Sequence, residues 1–199
     1  MTAARSQFES NAAQARDLVG LAVAIDAATT AALDTSDLLR FALVSAVSAL
    51  DHYVHEAVRE LMVDTAAGLR PPTDTFGRFN ISTDAALRAA GGDPPTLWMD
   101  EEVRRQHGHL SFQHPDRIAD AIRLIWDQPL WNTISTSLSK APADLKQELL
   151  LVVTRRNQIA HEADRDPTPP HVRWAISSSD VEAAIALIES VVVALDTAL

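Results

Sequence analysis

The sequence predicts an all-α fold, an up-and-down bundle of five to seven helices, and three observations carry that expectation. Alanine and leucine, two of the strongest helix formers, are abundant, while glycine occurs only 6 times in 199 residues. Apolar positions recur at spacings of three and four, the period of one helical face. No stretch of useful length alternates apolar and polar residues as a half-buried strand would; His171 to Ile176 offers a short extended piece and no more.

Taken in order, Phe8 to Leu33 reads as a helix carrying Leu18, Leu21, Val23 and Ile25 among polar residues. Thr35, Ser36 and Asp37 supply N-cap chemistry for the strongest element, Asp37 to about Gly68. There Leu39, Leu43, Val47, Leu50, Val54 and Val58 form one apolar stripe. The other face carries Asp51, His52, His55, Glu56, Arg59 and Glu60, and Gly68 is placed to stop the helix. Residues 69–96, with Pro71, Pro72, Gly77, Gly91, Gly92, Pro94 and Pro95, read as a long loop interrupted by a short helix at Thr83 to Ala90. Connections this long in a compact domain are often functional. Helical character returns at Leu97 to Gln106, and Pro115 suits the first turn of a helix running to Trp126. Pro129 interrupts it, and Trp131 to Leu138 continues. Ala141 and Pro142 open a helix reaching about Ala163, which Pro167, Pro169 and Pro170 terminate. Ser177 to Ser179 cap a last amphipathic helix ending at Leu199. With no internal repeat or low-complexity tract, residues 1–199 read as one domain.

Composition narrows the function. The absence of cysteine excludes disulfides, thiolate zinc sites and a cysteine nucleophile, and fits a reducing compartment. The first twenty residues lack the apolar core of a signal peptide, and no apolar run approaches the roughly 20 residues that cross a bilayer. The expected location is the cytoplasm, away from membranes. A net charge of −10 argues against broad, non-specific binding of long nucleic acid, so any RNA contact has to be local or assisted by a partner. Phosphate-binding loops of the G-x-x-x-x-G-K and G-x-G-x-x-G types are absent, as is the G-x-S-x-G elbow of serine hydrolases.

Chemistry concentrates in Leu149 to Asp164, LLLVVTRRNQIAHEAD, which begins as a buried helix and turns polar at Arg155. Asn157 and His161, four apart, share a face. Arg156 lies about 140° round from His161 on an ideal helix, within the swing of its long side chain. Arginine, a polar neighbour and a histidine four residues further on resemble the hallmark of the HEPN superfamily. The stretches VSALDHYVHEAVRELM, LSFQHPDRIADAI and VTRRNQIAHEAD are similar to a RiboL-PSP-type HEPN domain, a resemblance covering roughly residues 35–198.

That resemblance implies a helical bundle that forms a homodimer, bringing two motifs to one shared cleft. It also implies metal-independent, cofactor-free cleavage of RNA by attack of the ribose 2′-hydroxyl, leaving 2′,3′-cyclic phosphate ends. Toxin or phage-defence roles, with an antitoxin or defence-system protein as partner, are implied as well, and some relatives are inactive modules that bind a protein partner or RNA. In this sequence His161 suits proton transfer, Arg156 suits a phosphorane-like transition state, and Asn157 can orient the histidine or hold a phosphate oxygen. Asp51 or Glu56 can buttress Arg156; the alternative is a solvated face of ordinary i,i+4 pairs. His52, His55 and Glu56 do not follow the order of helical zinc signatures. His107, His109 and His114 read as loop residues beside a turn, and Glu162 and Asp164 as local charge balance. For Arg156 and His161 the competing reading is a helix-end salt bridge with a C-terminal histidine favoured by the helix dipole. A purely structural helical dimer is the third alternative.

Overall fold

A computed structural model describes residues 2–30 and 32–199, so Ala31, at the end of the first expected helix, lies outside the described residues. Eight α-helices are present among them: α1 (Ala3–Thr29), α2 (Ser36–Ala66), α3 (Thr83–Ala90), α4 (Pro95–His107), α5 (Pro115–Ile122), α6 (Leu130–Ser137), α7 (Pro142–His161) and α8 (Ser178–Ala198). The eighth helix, one more than the five to seven expected, arises because α6 stands apart from α5. Pro129 becomes the N-cap of α6 and separates it from α5, whereas α3 forms over Thr83–Ala90, where the sequence placed a short helix.

The helix starts follow their chemistry. Thr2, Ser82 and Ser177 each accept a backbone N–H of the first turn, from Arg5, Ala85 and Asp180 at 3.1, 3.1 and 3.2 Å. Pro95, Pro115 and Pro142 occupy first helical positions, where no N–H is missed. For α2 the predicted capping is different: Thr35 precedes the helix but makes no cap bond, and its hydroxyl donates instead to Asp26 of α1 at 2.7 Å. This bond ties the α1–α2 connection. Gly68, just beyond α2, has φ +75°, a conformation glycine adopts without penalty.

Helix α2 is the central element, packing against α1, α4, α5, α7 and α8. Its Leu50, Tyr53, Val54, Val58 and Met62 are fully buried, and Tyr53 meets Phe8 of α1 edge-on at 6.0 Å between ring centres. Helix α8 closes the bundle against α1, α2, α6 and α7 through Ile185, Ile188, Val191, Val192 and Leu195. No helix among the described residues is long and apolar enough to cross a membrane.

Residues 69–96 are more ordered than a long loop suggests. A 3₁₀ turn forms at Phe76–Arg78, and Thr73 donates to the carbonyls of Arg123 and Leu124 at 3.0 and 3.1 Å. Ser82 donates its N–H and hydroxyl to the buried Glu102 carboxylate at 3.1 and 3.0 Å. After α7 the chain turns through Ala163 and Asp164, both left-handed at φ 53° and 57°. The predicted extended piece reduces to an isolated bridge between Arg165 and Arg173.

Candidate functional site

Helix α7 buries Leu145, Leu149 and Val153 and then changes character within one turn. Two consecutive arginines leave it about 100° apart, because successive helical residues are separated by that angle, and their fates differ. Arg155 turns to Asp164, its Nη1 lying 2.9 Å from Oδ1 and its Nη2 donating to Oδ2 at 3.0 Å. It also donates to the Ala175 carbonyl at 3.0 Å. Arg40 of α2 reaches the same carboxylate, Nε to Oδ2, at 2.6 Å and donates to the Trp174 carbonyl at 2.7 Å. Asp164 therefore neutralises two arginines in the interior and anchors the turn that follows the motif.

Arg156 makes no ion pair with any described residue. Its one side-chain bond goes to the neighbouring Asn157, Nη1 to Oδ1 at 3.1 Å, and its Nε is buried without a partner. His161, the last residue of α7, is exposed, and its ring bonds to no described residue. The expected helix-end salt bridge exists, but Arg155 makes it, and both motif residues are left unpaired.

Arg156, Asn157 and His161 line one open cleft of about 660 Å³. The rest of its lining comes from the end of α4, from α5 and from the segment joining them, including His107, Phe112 and Arg117. Arg117 is exposed and, like Arg156, pairs with no carboxylate among the described residues. The cleft's one carboxylate, Asp120, is engaged by Arg123 at 2.5 Å. A chain of net charge −10 thus presents two uncompensated guanidinium groups in this cleft.

Asp51 and Glu56 are not brought to Arg156. They line a separate cleft of about 380 Å³ with His52, His55 and Arg59. Glu56 meets Arg59 at 2.6 Å and Arg104 at 3.5 Å. Burial alone would raise its pKa, but the hydrogen bond and charge of Arg59 outweigh burial and hold the carboxyl below its ordinary value. Asp51 accepts the backbone N–H of Phe112 at 2.5 Å and so pins the segment that walls the motif cleft, without touching the motif. No three histidine, aspartate or glutamate side chains among the described residues gather as a metal-ligand set.

The three loop histidines separate. His109 is exposed in a turn, and His114 caps α5 by accepting the Asp116 N–H at Nδ1, 3.2 Å away. His107 ends α4, is 6% exposed, and forms a wall common to both clefts. Burial, with smaller contributions from His55 and His109, pushes its imidazole down to about 4. Sequence reading missed His107, Phe112 and Arg117 as cleft residues. It also passed over Arg40, whose signal was present: a charge three residues before Leu43, on the side of α2 that is otherwise apolar.

Comparison with known proteins completes the picture. No curated protein and no solved structure matches the chain. A family model described as RiboL-PSP-HEPN matches residues 14–199. The match takes in every element that forms the cleft, from most of α1 to α8, and the chain belongs to the RiboL-PSP-HEPN family.

Proposed function

We propose that the protein is a metal-independent endoribonuclease that works as a homodimer, each copy contributing Arg156 and His161 to a shared cleft. One observation carries this reading: both residues line a single open cleft, and neither is committed to a carboxylate. A neutral His161 takes the proton of the ribose 2′-hydroxyl as O2′ attacks phosphorus. The P–O5′ bond breaks, and O5′ takes a proton from the charged His161 of the second copy. Arg156 meets the negative charge that gathers on the phosphoryl oxygens with a fixed fork of donors. The products are a 2′,3′-cyclic phosphate and a 5′-hydroxyl. One chain supplies one motif histidine, and two-fold symmetry supplies the second. The same reading gives the enzyme a toxin or phage-defence role, restrained by an antitoxin or another defence-system protein.

The net charge of −10 favours a second reading, a catalytically inactive HEPN module that holds a protein partner or RNA. End-labelled RNA incubated with the protein in EDTA decides between them. Cleavage with cyclic phosphate ends, lost in His161→Ala and Arg156→Ala and accompanied by toxicity on expression, supports the nuclease. Equal cleavage by wild type and His161→Ala rejects it, and a folded but inert dimer that retains a partner supports the module.

A further inference from the structure

Residues 109–114, which join α4 to α5, all line the motif cleft, and residues 109–111 are exposed. Among the described residues, one hydrogen bond ties this segment to a helix other than the two it joins. It is the Phe112 N–H, donated to Asp51 Oδ1 of α2 at 2.5 Å. The Phe112 ring, 5% exposed, is seated partly by the same helix. His55, one turn after Asp51, covers it at 4.4 Å between ring centres, tilted by 40°. His55 also places its Nε2 3.9 Å from the Asp51 oxygen that holds the N–H. His107 of α4 meets the Phe112 ring edge-on at 5.4 Å and is itself met edge-on by Phe79 at 5.9 Å. A main-chain N–H on so buried a residue needs a partner, and Asp51 is the one in place.

Resting on the nuclease reading above, we propose that Asp51 is a positioning residue for RNA binding: it fixes residues 109–114 in the place that shapes the motif cleft, and acts on the substrate only through Phe112. Asp51 lines the other cleft with Glu56 and does not line this one. Arg156 and His161 ride on α7, which is seated by Leu145, Leu149 and Val153 and makes no hydrogen bond to Asp51. Loss of the anchor therefore leaves the reacting groups in place and frees part of the cleft lining. The freed segment spends time away from the bound arrangement, and RNA has to draw it back. A binding-competent fraction cut tenfold weakens affinity tenfold and leaves turnover of the bound complex unchanged. What Asp51 supplies is an acceptor oxygen rather than a charge, because the group it holds is an uncharged N–H.

The test measures kcat and KM of the full chain on a short single-stranded RNA, with hydrogen exchange of the Phe112 amide alongside. Asp51→Ala should raise KM about tenfold and keep kcat within about twofold of wild type. It should also speed exchange at Phe112 without speeding it along α7. Asp51→Asn keeps an acceptor at the same atom and should recover most of both losses. A role confined to stability would instead lower the folded fraction, and kcat with it, and leave KM alone. His55→Ala uncovers the Phe112 ring on one side and spares the bond. It should raise KM about threefold, and it carries the test if circular dichroism shows Asp51→Ala unfolded. An unchanged KM in the folded variants overturns the proposal, as does an Asp51→Asn as impaired as Asp51→Ala. Direct binding of the same RNA, read by fluorescence anisotropy, separates this role from the nuclease reading. If wild type binds without cutting, and Asp51→Ala binds about tenfold more weakly while Asp51→Asn does not, the nuclease fails and the positioning role stands. If wild type cuts and KM ignores Asp51, the positioning role fails and the nuclease stands. A wild type that neither cuts nor binds RNA sinks both.

Discussion

Replacing Asp164 by asparagine isolates the charge that holds the end of α7. The substitution is isosteric, and asparagine tolerates the left-handed backbone at φ 57°. The aspartate is 0% exposed and faces Arg40, 4% exposed, at 2.6 Å, and Arg155 at 2.9 Å. Breaking a buried ion pair by removing one partner typically costs 3–5 kcal/mol, because an uncompensated charge stays behind. Arg155 is partly exposed and can turn to solvent, and Arg40 keeps its bond to the Trp174 carbonyl. The expected loss is therefore at the low end, about 3 kcal/mol. In a chain of this length that lowers Tm by roughly 6–12 °C. Thermal and urea unfolding followed by circular dichroism read the effect. Adding Arg40→Met to Asp164→Asn removes the stranded guanidinium, so the double variant should melt above Asp164→Asn alone. A Tm for Asp164→Asn within about 2 °C of wild type, or strict additivity of the two substitutions, refutes the reasoning.

Ala163 sits at φ 53°, where a Cβ is strained, so Ala163→Gly should stabilise by up to about 1 kcal/mol in urea unfolding. Arg117→Ala should reduce the slope of log affinity against log salt for single-stranded RNA by about 0.7, one phosphate contact's share; an unchanged slope places Arg117 outside the RNA path. His107 makes stability depend on pH. Its folded value, about 4, lies below the ordinary 6.5, so the unfolded chain binds the proton first as pH falls. The stability its neutral form contributes is complete above about pH 6.5 and is lost on descent toward pH 4. His107→Phe should flatten that part of the pH–Tm profile and raise Tm at pH 5; an unaltered profile refutes it. Glu102 acts in a lower window. The Arg105 hydrogen bond, against opposing burial, holds its carboxyl at about 2, so its contribution fades between about pH 4.5 and 2. Glu102→Gln should flatten acid unfolding there.

The fold was legible because its signals are local. The stripe from Leu39 to Val58 dictates α2, and prolines 95, 115 and 142 open three helices at their first turns. The motif residues Arg156, Asn157 and His161 were legible for the same reason, all lying on one helix. What escaped was every contact made across elements. The Asp51 carboxylate meets the Phe112 N–H 61 residues away, and Arg40 meets Asp164 across 124 residues. Helical spacing places Asp51 and Glu56 on a polar face, but it cannot say which neighbour covers that face. Arg59, Arg104 and the Phe112 segment cover it, and Arg156 does not. Thr35 failed as a cap for a related reason: a hydroxyl with a carboxylate within reach on the preceding helix does not stay with its own backbone.

The two neighbouring arginines of α7 show how an acidic chain can keep a cationic cleft. Carboxylates outnumber basic side chains 27 to 17, so any arginine brought near them is drawn into an ion pair. Arg155 is taken by Asp164, Arg59 by Glu56 and Asp100, and Arg105 by Glu102. Arg156 escapes because the helix aims it about 100° away from Arg155, toward a wall made of Phe112, Leu124, Val153 and histidines, where the lone carboxylate is already engaged by Arg123. Exposed charges beyond a Debye length, about 8 Å at physiological salt, are largely screened, so the distant acidic surface subtracts little from the attraction inside the cleft. The acidic surface then acts on encounter more than on the bound state. On the nuclease reading proposed above, it would repel long RNA outside the cleft and leave Arg117 and Arg156 as the places for a phosphate. Substituting surface carboxylates far from the cleft should therefore speed association with RNA at low salt and change dissociation little. Stopped-flow binding with His161→Ala reads both rates, and a change confined to dissociation refutes this account.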